Sequence, residues 1–183
     1  MKYQLIVHPQ SSANAGSLQL HYDIQQTADD RFRLLVEAKG DVHQFQWSDQ
    51  VESVETAPQR KSELWKSTCF EVFVSPQGHT DYLEWNFSPS GNWNYYFFDS
   101  YRNLIKDPEA LLAPKVKNMS PDFRWEIVAT IPKAWKGREV DLGLTAVVLT
   151  QSGSATYWAL THLRDNPDFH TRDSFIAKLS THF

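Results

Sequence analysis

The sequence predicts an all-β chain folded as an antiparallel β-sandwich. Apolar residues recur at every second position in roughly ten short runs. Clusters of Gly, Pro, Asn, Asp and Ser punctuate those runs. Helical periodicity is nearly absent, with only Pro108–Leu112 looking locally helical. Many short strands with few helices favour two sheets, each burying one face against the other.

Tyr3–Val7 is a short apolar run that reads as a first strand. Leu18–Gln26 alternates through Leu18, Leu20, Tyr22 and Ile24, and Ala28-Asp29-Asp30 turns it into Arg31–Ala38, where Phe32, Leu34 and Val36 alternate. Lys39-Gly40-Asp41 turns again, before a weaker strand over Val42–Trp47. Positions 48–63 are polar, include Pro58, and read as a long surface connection. Thr68–Val74 is a strong strand, closed by the turn Ser75-Pro76-Gln77-Gly78-His79. Asp81–Phe87 and Trp93–Phe98 pair as a hairpin through Ser88-Pro89-Ser90-Gly91-Asn92. After a weakly patterned stretch, Phe123–Ile131 alternates again, and Pro132-Lys133-Ala134-Trp135 makes a helical turn. Asp141–Gln151, Ala155–Thr161 and Ser174–Leu179 complete the set.

At 183 residues the chain is expected to form one domain, 1–183, with a core that needs no staples. A net charge of -4 offers no basic footprint for nucleic acid. Cys69 is the single cysteine, which excludes an internal disulfide and a Cys-rich zinc site. The apolar start is broken by His8 and Pro9, too short for a secretory or membrane-spanning segment. The expectation is therefore a cytoplasmic protein with no membrane partner, with a monomer favoured. The unusual feature is aromatic content, 11 Phe, 7 Tyr and 7 Trp. Tyr and Trp combine an apolar face with a polar tip and suit binding surfaces.

Strand alternation sorts the side chains that could do chemistry. Phe70, Val72 and Val74 share a face with Leu83, Trp85 and Phe87, so the opposite face carries Glu71, Glu84 and Asn86. That face is expected to be exposed. Carboxylates and an amide can bind vicinal hydroxyls, and Trp65, Trp93 and Trp158, beside turns or at strand ends, can stack on a sugar ring. Trp85 and Trp125, inside strand patterns, read as core. Arg102 is placed to donate to a carboxylated sugar or to fix Asp99. The tail gathers His162, Arg164, Asp165, Asp168, His170, Arg172 and Asp173. Its arginines oppose a cation and its spacing matches no zinc signature, so it reads as a loop held by its own charge pairs. His170 or Arg172 is expected to reach toward the polar face. Nucleophile-elbow and phosphate-loop motifs are absent.

The chain resembles the DOMON-like proteins related to family 9 carbohydrate-binding modules. The resemblance is carried by Leu64-Trp65, by Thr68-Cys69-Phe70-Glu71, and by Tyr82-x-Glu84-x-Asn86-x-Ser88-Pro89-x-Gly91-x-Trp93. Phe98-Asp99-x-Tyr101-Arg102, Pro167-Asp168-Phe169-His170, Asp173-x-Phe175 and the early His8-Pro9 fit the same small bacterial group. It implies a sandwich like those modules, or an immunoglobulin-like jelly roll, with a sugar on one sheet or at its rim between aromatic rings. The wider DOMON superfamily also contains haem domains with Met and His axial ligands, and here Met1 and Met119 are the only methionines.

Three functional expectations follow. The first is a non-catalytic protein, without cofactor, that holds a small molecule or oligosaccharide through Trp65, Glu71, Glu84, Asn86, Trp93, Arg102, Trp158 and His170. The second is a haem- or metal-binding DOMON-type domain. The third is a glycan-active enzyme using Glu71 and Glu84, which requires one carboxyl to be protonated and the other ionised.

Overall fold

Strand pairing at the centre of the chain sets the architecture. In the computed structural model, which describes residues 1–27, 31–47, 58–119 and 121–180, Glu71 lies opposite Asn86 on one neighbouring strand and Thr145 on the other. The strands are β1 (Lys2–Gln4), β2 (Ile6–Val7), β3 (Gln19–Thr27), β4 (Arg31–Lys39), β5 (Cys69–Pro76), β6 (Tyr82–Phe87) and β7 (Trp93–Ser100). They continue with β8 (Asn103–Ile105), β9 (Lys115–Asn118), β10 (Arg124–Thr130), β11 (Glu139–Leu149), β12 (Ala155–Ala159) and β13 (Ala177–Ser180). One sheet runs β1-β3-β4-β10-β9 and the other β2-β12-β11-β5-β6-β7-β8, with β13 pairing β11; every one of these pairs is antiparallel. The fold is the all-β antiparallel sandwich that the sequence predicts.

The core lies between the sheets, because the long strands contribute alternate residues to it. Leu20, Tyr22, Ile24, Phe32, Leu34 and Val36 face Phe70, Val72, Val74, Leu83, Trp85 and Phe87 in one buried cluster. Trp125 joins them, so both strand-centred tryptophans are core residues. Their polar tips find partners: Trp85 Nε1 donates to the Thr130 carbonyl at 3.1 Å and Trp125 Nε1 to that of Pro89 at 3.0 Å. Tyr22 spans the sandwich and donates to the Thr145 carbonyl at 2.8 Å. A buried aromatic gains from its ring only if its polar atom is satisfied.

Several local expectations change. Tyr3–Val7 is not one strand: β1 pairs β3 and β2 pairs β12, so the chain switches sheets at the buried Leu5. Val42–Trp47 forms a 3₁₀ turn over Val42–Gln44 and a single bridge from Phe45 to Thr150 instead of a strand. Pro108–Leu112 is not helical. The last strand starts at Ala177, after a 3₁₀ turn over Arg172–Ser174. Ala28-Asp29-Asp30 and positions 48–57 of the expected surface connection lie outside the described residues.

The largest correction concerns the outer face of the longer sheet. It is not exposed, and β5 and β6 are buried at every position. The reason is topological. β12 and β13 lie along the same edge of β11, β12 against Thr145–Leu149 and β13 against Glu139–Leu142. The segment 160–176 therefore leaves that edge and returns to it, and in between it crosses the outer face. Gly143 makes room for the crossing, since a Cβ there would stand 2.7 Å from Phe175 Cδ1. Phe175 packs instead against Phe73 and Tyr82, with ring centroids 5.3 and 5.6 Å apart.

Candidate functional site

Between that crossing segment and the sheet lies a cavity of about 430 Å³. Its floor follows from strand register. Glu71 and Asn86 are direct cross-strand partners, as are Phe73 and Glu84, so the two glutamates are diagonal neighbours on one face. Glu71 is 3% exposed and Glu84 5%. Each carboxyl has one oxygen satisfied. Thr145 Oγ1 donates to Glu71 Oε2 at 2.9 Å, and Asn86 Nδ2 donates to Glu84 Oε1 at 2.6 Å. Asn86 is held by Cys69, whose Sγ donates to Asn86 Oδ1 at 3.2 Å. Burial disfavours the charged carboxylate and pushes both glutamates well above the usual carboxylate range; the charge of Glu84 raises Glu71 further, and the Thr145 hydroxyl offsets part of that. Such a pair titrates in two steps that belong to the pair and not to either residue.

The crossing segment supplies the roof. Asp168 accepts from Tyr101 Oη at 2.9 Å, the Arg102 guanidinium at 3.1 Å, the His170 backbone N–H at 3.1 Å and Thr171 Oγ1 at 3.2 Å. Those bonds favour its charged form and hold its carboxyl below the usual range even though burial works the other way. Arg102 sits at φ 53°, in the tight turn between β7 and β8, and its backbone N–H donates to Tyr82 Oη at 3.0 Å. Tyr82 Oη lies 2.9 Å from His170 Nδ1. The hydroxyl can accept from both the Arg102 N–H and an Nδ1–H or donate to a bare Nδ1, so either imidazole tautomer satisfies this pair. His170 Nε2 stands 3.7 Å from Glu84 Oε2. Burial, helped by the Arg102 charge, pushes His170 down to about 4, so it is neutral at pH 7.

Aromatic rings wall the cavity. Trp65, on a 3₁₀ turn over Leu64–Lys66, is 41% exposed and meets Tyr96 edge-on at 5.6 Å. Asn94 Nδ2 donates to Tyr96 Oη at 2.8 Å and fixes that ring. Phe98 stacks on Tyr82 at 4.7 Å, and Tyr157 and Phe169 close the far side.

The structure brings together five of the residues singled out in the sequence: Trp65, Glu71, Glu84, Arg102 and His170 all line this cavity. Asn86 lies beneath the floor, fully buried, and acts through Glu84. Trp93 and Trp158 are elsewhere, which corrects their expected role as sugar platforms. Strand alternation turns both inward: Trp93 stacks parallel to Tyr95 at 6.2 Å, and Trp158 is core, its Nε1 bonded to Thr156 Oγ1 at 2.8 Å. Arg102 fixes Asp168 rather than Asp99, which binds Ser100 and Asn103. Arg172 turns away to Asp141 at 2.7 Å, and only His170 reaches the polar face. His162 lies 3.0 Å from the Ile6 carbonyl. The tail is thus held by bonds to distant strands, not by its own charge pairs. Sequence reasoning missed Tyr96, Phe98, Tyr157 and Phe169. The first two could have been found by carrying the alternation across the hairpin, since Tyr96 pairs with Glu84 and Phe98 with Tyr82.

A second hollow of about 360 Å³ lies on the five-stranded sheet, lined by Lys2, His21, Glu37, Lys39 and Arg124 among others. Its charges are largely paired with one another: Lys39 lies 2.9 Å and Arg124 3.8 Å from Glu37. Among the described residues no group of three or more His, Cys, Asp or Glu could hold a metal ion. Met1 bonds to β3 and Met119 follows β9, so both methionines belong to the sheet opposite His170.

No known protein family matches the chain, and no curated protein matches it. Among solved structures it is similar to a "putative carbohydrate-binding protein" from Bacteroides uniformis, with a TM-score of 0.66 at 16% identity, over 98% of this chain and 85% of that one. At that identity the likeness is one of fold.

Proposed function

We propose that this chain is a non-catalytic carbohydrate-binding protein whose ligand, a mono- or short oligosaccharide, occupies the cavity over Glu71 and Glu84. One observation carries the reading: buried carboxyls, each with an oxygen to spare, form the floor of a cavity walled by rings, with Trp65 half open to solvent at its edge. Hydroxyls need donors and acceptors at fixed positions, and the apolar faces of a pyranose need flat rings. The volume lies within the about 300–1,000 Å³ usual for small-molecule pockets. The Bacteroides uniformis protein, itself named as a "putative carbohydrate-binding protein", and the resemblance to DOMON-like and family 9 modules support the same reading.

Binding fits the carboxyl geometry better than hydrolysis does. A glycosidase places its two carboxyls on either side of the scissile bond and separates their protonation states. Here they rise side by side from adjacent strands, and burial pushes both in the same direction.

Calorimetric titration of a panel of neutral, acidic and amino sugars tests the proposal. At least one is expected to give saturable heat, with affinity about tenfold lower in Trp65→Ala. Silence across the panel, or a sugar indifferent to Trp65, would contradict it.

A further inference from the structure

The carboxyl pair has no bonded counter-charge: the Arg102 guanidinium acts on both glutamates from a distance while bonded to Asp168. Glu71 Oε1 accepts no hydrogen bond among the described residues, and Glu84 Oε2 has only His170 Nε2, at 3.7 Å, beyond bonding distance. Both atoms belong to carboxyls that line the cavity. The charged and titratable groups facing them can be counted element by element. The sheet offers the two glutamates and the hydroxyls of Tyr82, Tyr96 and Tyr157. The turn after β7 offers Arg102, already committed to Asp168. The crossing segment offers His170, whose imidazole is neutral and brings no charge. Arg102 favours the charged form of both glutamates, but burial outweighs it and its guanidinium is bonded to Asp168, so the formal charge of the cavity turns negative as soon as either glutamate ionises. Burying a carboxylate without a counter-ion is costly. Five aromatic residues add to the bias, because the negative face of a ring attracts cations.

We propose that the ligand carries an ammonium group, a free amino sugar being the class that fits, and that this ammonium lies on the Glu71–Glu84 floor within reach of Oε1 of one and Oε2 of the other. An ammonium has three donors and no acceptor, matching two open acceptors and an aromatic wall. Its arrival lets the glutamates ionise, so the proton they retain near neutral pH is released to solvent. N-acetylation would remove the charge and add bulk, so acetylated sugars should be poor ligands. The sugar part of this inference rests on the carbohydrate reading above; the ammonium part rests on the charge inventory alone.

The test is calorimetry at pH 7 in two buffers of different ionisation enthalpy. The probes are glucosamine and galactosamine, their neutral and N-acetylated counterparts, and cyclohexylamine, a ring amine without hydroxyls. An amino sugar is expected to bind about tenfold or more tighter than its neutral and acetylated counterparts. Its heat should differ between buffers, reporting proton release. Glu71→Gln and Glu84→Gln, isosteric with the protonated carboxyl, should abolish the preference and the buffer dependence. Equal binding of neutral sugars would overturn the ammonium inference and leave the carbohydrate reading standing. Cyclohexylamine binding as well as the amino sugars would uphold the ammonium and overturn the sugar. Absence of heat with every probe would overturn both, and glutamine variants that keep the preference would overturn the assignment to this floor.

Discussion

Asn86 donates an amide hydrogen to Glu84 at 2.6 Å while its Oδ1 accepts the Cys69 thiol hydrogen at 3.2 Å, so the site carboxyl is oriented by a residue that never reaches the cavity. Asn86→Ala would leave a buried carboxyl oxygen unpaired. The expected loss is about 1–3 kcal/mol, read as a lower urea midpoint with an unchanged m-value. A midpoint equal to wild type would show that Glu84 is oriented by something else.

Stability should fall as pH rises from 6.5 to about 8. Glu84 is raised to about 7 and Glu71 to about 8 from an ordinary 4.5, by burial first and, at Glu71, by the neighbouring charge. At the start of this window the unfolded chain has already lost both protons while the folded chain still holds most of them, and it gives them up across the window. The stabilisation is fully present below 4.5 and disappears as pH passes through the raised values, at up to about 1.4 kcal/mol per unit per retained proton. His170, lowered to about 4, works in the opposite sense but only between that value and 6.5, so it does not interfere. Urea midpoints from pH 6.5 to 8.5 should decline for wild type and decline less in Glu71→Gln, where only Glu84 still releases a proton. A rising or flat wild-type profile would refute the raised titration of the two glutamates.

Asp168 ties Tyr101, Arg102, His170 and Thr171 together. Asp168→Ala should speed hydrogen exchange at the His170 amide by about tenfold or more, with the strands of the sandwich little changed. Asp168→Asn, which keeps an acceptor, should fall between. Unchanged protection at His170 would show that the roof is held by other contacts.

Gly143→Ala would place a methyl 2.7 Å from Phe175 and 3.2 Å from Phe73 Cβ. Overpacking of this kind costs about 1–3 kcal/mol. The variant should be less stable and should shift the resonances of Phe175 and of His170, which packs on the same Phe73 ring. A variant as stable as wild type with an unmoved His170 would contradict the close packing.

The sandwich was legible because alternation in β3, β4, β5, β6, β10 and β11 carries a strong apolar face, and that face is the core. β8 and β9 were illegible for the converse reason: they are short, mostly exposed edge strands with no face to bury. The same logic divides the site. Glu71, Glu84 and Asn86 could be assigned to one face from parity alone. Whether that face met water could not, since its cover comes from residues about a hundred positions later, through β12 and β13 sharing an edge of β11. Trp93 and Trp158 stand beside turns, but their strand parity points both rings inward, and parity decides where a strand side chain goes.

The central claim, that ligand binds over the carboxyl pair, is tested most directly by amide chemical-shift mapping with saturating sugar on this 21.2 kDa chain. The account predicts shifts concentrated at Trp65, Glu71, Glu84, Tyr96, Arg102 and Phe169–His170. Shifts clustered instead at Lys2, His21, Glu37 and Arg124, around the hollow of the five-stranded sheet, would contradict it.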